Sequence, residues 1–213
     1  MNFVQRITVS LFFLGIHAAA FAFEPVYARQ GMAAGPEPHA VQAGVEILKQ
    51  GGNAFDAAAA IGFALAVTYP AAGNLGGGGF MTALTKDGRP LFLDFRETAP
   101  QSATRGMFLD EKGDLIEGRS TASLLAAGVP GTVHGLFEIL QKYGTQRREA
   151  ILAPAIRLAQ DGFPVSYSLH HSLQANQKYL TRFPSTAAVF YPDGEVPAFG
   201  SVFKQPDLAG TLT

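Results

Sequence analysis

AFDAAAAIGFALAVTY, residues 54–69, is an apolar run carrying one charge, Asp56, near its start. Asn53 stands before it as an N-cap candidate and Pro70 closes it. Apolar on every side and too short from Ala57 to Val67 to cross a bilayer, it predicts a helix buried in protein. Its alanines and Gly62 permit close approach by neighbouring elements. Upstream, Val41, Val45 and Leu48 recur at helical spacing within residues 39–50, and Gly51 supplies a stop signal.

Downstream lies AGNLGGGGF, residues 72–80. A phosphate cradle needs a strand, then glycines, then a helix N-terminus. Here a helix leads in and a strand leads out, so nucleotide binding is not expected. The glycines are read instead as permitting close backbone approach and positive φ at a tight corner, which shapes the floor of a site equally well. Residues 80–85 and 91–95 flank Lys86-Asp87-Gly88-Arg89, and Asp-Gly between apolar runs predicts an antiparallel hairpin.

The second strand runs into DFRETAP, residues 94–100, where Arg96 follows an apolar stretch. In an extended strand Arg96 shares a face with Asp94 and Phe92, so the residues alone favour a local salt bridge to Asp94 or Glu97. Two further helices are expected at 129–144 and 149–162, each ending in glycine. Pro130 suits the first turn of one, and Pro154 predicts that the other starts near Leu152 or kinks. Residues 166–182 read as a polar, partly exposed helix. From Phe183 onward, Pro184, Pro192, Pro197, Pro206 and Asp193-Gly194 indicate loops and turns.

Of the 213 residues 47% are hydrophobic and 15% charged, a globular composition sufficient for one domain or a large piece of one. The formal charge is −1 and only Arg147-Arg148 are adjacent bases, which leaves no footprint for nucleic acid. Arg6, the apolar residues 7–16 and Ala20-Phe21-Ala22 describe a secretory signal peptide over 1–22, with the mature chain starting near Phe23; a membrane anchor is the alternative. Without Arg6, 15 basic residues stand against 17 acidic ones. Export without cysteine leaves stability to packing, and the bacterial periplasm, or secretion, is the expected location. Adjacent His170 and His171 would diverge by about 100° on a helix, so no metal site is expected.

GGNAFDAAAA (51–60), NLGGGGFM (74–81), LDFRETAP (93–100), GVPGTVHG (128–135), LAPAIRLAQDGFPVS (152–166) and QPDLAGTL (205–212) together resemble, in order, the beginning of the large subunit of γ-glutamyltranspeptidases. The resemblance implies an α+β fold, the αββα sandwich of N-terminal-nucleophile hydrolases, with only its N-terminal portion in residues 23–213. It implies γ-glutamyl transfer from glutathione or similar compounds to water, amino acids or peptides, through a covalent intermediate and without cofactor or metal. The implied partner is a small subunit cut from the same precursor, and no membrane contact is expected after signal removal. The family's nucleophilic threonine is expected beyond Thr213, so no catalytic residue is assigned here and these residues alone are expected to be inactive. Thr132-Val133-His134 imitates the family's processing segment but belongs to the GVPGT block. Arg96 takes the family's role of binding the donor's α-carboxylate, with Asp94 and Glu97 as candidates for orienting it. A related cephalosporin or poly-γ-glutamate acylase, or a non-catalytic exported carboxylate-binding protein, are the alternatives.

Overall fold

The computed structural model describes residues 25–213; the expected signal peptide lies outside them. Residues up to Met32 form a unit separate from the rest, and its described part, 25–32, has neither helix nor strand. From Ala33 onward the order is α1 (Pro38–Lys49), α2 (Ala54–Thr68), β1 (Phe80–Leu84), β2 (Pro90–Asp94), α3 (Thr132–Tyr143), α4 (Arg148–Asp161), β3 (Phe163–Pro164), α5 (Tyr167–Leu180), α6 (Pro184–Phe190), β4 (Val202–Phe203) and α7 (Pro206–Leu212). Among the described residues no helix is long and apolar enough to cross a membrane.

α2 is the expected buried helix, and its start is a full capping box. Asn53 Oδ1 accepts the Phe55 and Asp56 N–H groups, and Asp56 Oδ2 accepts the Asn53 N–H at 2.8 Å. Packed around it are α1, α3 and α4. Small residues let them come close: Gly44 of α1 faces Ile61, and Gly62 faces Leu136 of α3. The core runs from Ile47 through Phe63 and Val67 to Ile151, Val165 and Phe203.

The helix ends are tied by buried polar groups. Glu37 Oε2 accepts both the Ala40 N–H at the start of α1 and the Thr68 hydroxyl at the end of α2, at 2.8 and 2.7 Å. Gln205 Nε2 donates to the Val67 carbonyl at 2.8 Å. Asp56, fully buried, also accepts the Thr145 hydroxyl at 2.6 Å and the Thr145 and Gln146 N–H groups, so one carboxylate joins the start of α2 to the α3–α4 connection.

β1 and β2 pair antiparallel with Met81 opposite Leu93, and Gly88 at φ +80° makes the turn. One face, including Met81, Leu91 and Leu93, is half-buried toward α3; the other carries Phe80, Leu84 and Phe92, all exposed.

Three expectations are corrected. α4 starts at Arg148, with Pro154 inside it; the missing N–H costs one helical bond, but Pro154 is buried in the packed face and the helix continues. α3 begins at Thr132 rather than near Pro130, because Val129 is held extended by pairing with Thr98. The proline-rich end contains α6 and α7, since Pro184 and Pro206 each occupy the first helical turn, where no N–H is required.

Candidate functional site

Arg96 lies just past β2, where three segments from distant parts of the sequence meet. Beyond the last ladder pair, Phe95 and Gly79 exchange two backbone hydrogen bonds, Phe95 N–H to Gly79 O at 3.0 Å and Gly79 N–H to Phe95 O at 3.3 Å. Three residues on from Phe95, Thr98 and Val129 do the same at 3.2 and 2.8 Å. The circuit closes where the Gly131 and Thr132 N–H groups both donate to the Gly77 carbonyl, at 2.7 and 3.0 Å. The backbone around Arg96 is therefore held on both sides, by the glycine loop and by the strand-like approach to α3.

Glycine is what allows the three segments this close. A Cβ on Gly78 would lie 2.5 Å from Phe95 O and 2.7 Å from Arg96 Cα, and one on Gly128 would meet Glu97 Cβ at 2.9 Å. Gly131 stands against the Phe95 carbonyl and Gly135 against the Phe95 ring, too near for any side chain. None of residues 76–79 has positive φ, so close approach at Gly77, Gly78 and Gly79, and not the expected left-handed corner, accounts for those glycines; nothing in the structure explains Gly76.

The Arg96 side chain is exposed, with its guanidinium 5.8 Å from the centre of the Phe80 ring. The expected salt bridge is not formed: among the described residues neither Asp94 nor Glu97 pairs with it. Asp94 acts on the backbone instead, its Oδ1 accepting the Arg96 N–H at 3.0 Å. Glu97 is exposed and makes no side-chain hydrogen bond among the described residues. A cation held by a rigid backbone, with its planar fork free, is suited to gripping a carboxylate from outside.

Two contributors escaped the sequence reading. Thr132, largely buried, donates its hydroxyl to Asn74 Oδ1 at 3.1 Å, linking α3 to the start of the glycine loop. Gly131, the residue capping α3, and Gly135 on its first turn lie four residues apart, a spacing that could have marked a surface for close approach. Thr132 N–H is spent on Gly77 O, and His134 is exposed beside Glu138 at 3.6 Å, so the Thr-x-His imitation is part of a helix start. A hollow of about 900 Å³ runs along α3 between His134, Glu138 and Arg148, and it does not include Arg96.

Residues 40–213 match the family described as Gamma-glutamyltranspeptidase. A glutathione hydrolase proenzyme from Escherichia coli (strain K12) is 48% identical over 191 residues, which cover 89% of this chain and 33% of that protein. Among solved structures, a γ-glutamyltranspeptidase from Helicobacter pylori is 42% identical with a TM-score of 0.86, covering 89% of this chain and 54% of that one. A cephalosporin acylase from Bacillus halodurans is 31% identical with a TM-score of 0.78, covering 91% and 37%. The chain thus spans about a third of the length of the curated relatives it matches.

Proposed function

The chain belongs to the γ-glutamyltranspeptidase family, and from that premise we propose that it supplies part of the donor-binding site of an enzyme that moves γ-glutamyl groups from glutathione and related compounds to water, amino acids or peptides. Its fold is the α+β, N-terminal-nucleophile hydrolase type of its structural relatives. The observation that carries the proposal is Arg96, a guanidinium without an ion-pair partner among the described residues on a backbone fixed from two sides. In this reading the fork receives the donor's α-carboxylate through two parallel charge-assisted hydrogen bonds, which holds the donor in the site. Asp94 fixes the backbone from which Arg96 projects, through the N–H bond described above, and Glu97 flanks it.

The nucleophile in this reading is a threonine freed when a proenzyme is cut, with its own α-amino group serving as base, and it belongs to a small subunit outside these residues. Purified complete gene product is expected to hydrolyse an L-γ-glutamyl anilide, whereas residues 23–213 alone are expected to release no anilide. Turnover by the isolated piece, free of host enzyme, would falsify this division of labour. The similarity to a cephalosporin acylase favours a second reading, acylase action on a cephalosporin; cleavage of a cephalosporin amide in preference to a γ-glutamyl anilide would establish it.

Residues 1–22 are proposed as a signal peptide that delivers the protein to the periplasm or outside the cell. N-terminal sequencing of exported material is expected to start at or near Phe23, and an intact Met1 in a membrane fraction would defeat that expectation.

A further inference from the structure

We infer that Thr132 and Asn74 form a positioning pair that sets the affinity of Arg96 for the donor carboxylate, an inference that rests on the γ-glutamyl donor reading above. The Asn74 carboxamide is pinned at both ends: its oxygen accepts the Thr132 hydroxyl at 3.1 Å, and its nitrogen donates to the Ala72 carbonyl at 2.9 Å. So held, it lies against Gly77, in the space a Cβ there would need. Among the described residues no other side chain hydrogen-bonds to the 74–79 segment. The next residue, Gly78, abuts Arg96 Cα and Glu97 N with no side chain between them. Any drift of the loop therefore reaches the Arg96 backbone as direct contact, because close-packed atoms transmit displacement. The backbone bonds to the Gly77 carbonyl hold the loop from the α3 side and remain, while the open space beside Gly76 leaves residues 74–76 room to shift and to tilt Gly77 and Gly78 once the pair is cut.

A misplaced fork weakens carboxylate binding without touching the chemistry of acyl transfer. Thr132→Val removes the hydroxyl while keeping the shape. In the complete processed enzyme it is expected to raise the KM for an L-γ-glutamyl anilide about fivefold, the scale of one neutral hydrogen bond, with kcat within about twofold. Thr132→Ser, which retains the hydroxyl, is expected to recover most of that loss. In an Arg96→Ala background, Thr132→Val is expected to have no further effect, because the group it positions is gone.

A purely structural role for the threonine predicts equal losses with and without Arg96, and that result would overturn the inference, as would a fall in kcat at unchanged KM. If Thr132→Val does not mature, Asn74→Ala enters the same cycle and must meet the same criteria. Absence of γ-glutamyl turnover by the unsubstituted enzyme overturns the donor reading and this inference together, whereas turnover with an additive cycle overturns this inference alone.

Discussion

Arg96→Ala is expected to lower donor kcat/KM by about one to two orders of magnitude or more, since charge-assisted hydrogen bonds contribute roughly 1.5–3 kcal/mol each. Arg96→Lys keeps the charge but not the fork, and is expected to recover only part of the loss. Maturation of the precursor should proceed in both variants. The side chain is exposed and forms no ion pair among the described residues, so its removal leaves no buried carboxylate stranded. The Asp94 contact uses the backbone N–H and survives any substitution except proline. What the fold loses is the contact with Phe80, about 0.5–1 kcal/mol at an exposed site. Gel analysis of cleavage and donor kinetics on the same preparations separate the roles: fully matured Arg96→Ala with unchanged donor kcat/KM would exclude substrate binding.

Asp56→Ala is the substitution expected to damage the fold most. It strips the acceptor from the Asn53, Thr145 and Gln146 N–H groups and from the Thr145 hydroxyl, in a fully buried place. Stranded buried donors cost about 1–3 kcal/mol each, and a total of about 3–5 kcal/mol allows for partial relaxation. For a unit of this size that is on the order of 10 °C in thermal midpoint. Burial pushes the Asp56 carboxyl up, but the hydrogen bonds from Thr145, Asn53 and Gln146 outweigh it and hold the group below its ordinary value of 3.8. A depressed folded value means that the stabilisation is fully present above the unfolded value and is lost as pH falls through the folded one. The gap in midpoint between the unsubstituted protein and Asp56→Asn should thus be flat above about pH 5 and close below the ordinary carboxylate value. A gap that instead closes between pH 6 and 8 would point to a different titrating group.

What was legible in the sequence was local. Asn53, the apolar run after it, Gly51 and Asp87-Gly88 signal their elements through backbone chemistry within a few residues, and α2 and the β1–β2 hairpin stand where those signals put them. The prolines misled because their meaning depends on position: the same residue that interrupts a helix also starts one, as Pro184 and Pro206 do. The glycine run was correctly read as permitting close approach, but its partners, Phe95 and Arg96, could not be seen. Nothing near Asp56 announces that its ligands lie 89 and 90 residues away. Likewise the local salt bridge was the natural expectation for Arg96, and only the fold shows Asp94 occupied with the backbone.

The last turn of α2 has a bearing on the order of events during folding. Its Val67 carbonyl is satisfied by Gln205, 138 residues later, whose own N–H is bound to Ala159 O. Its Thr68 hydroxyl, which has a local acceptor in the Ala64 carbonyl at 3.0 Å, also reaches Glu37, 31 residues earlier, at 2.7 Å. The last turn of this buried helix thus makes its full set of contacts only when both distant segments have closed on it. Closing such a span carries an entropic cost that local helix formation does not repay. Assembly should be governed by topology rather than by helix propensity, with α2 forming early as a turn-by-turn structure and its C-terminal end settling among the last contacts to be made.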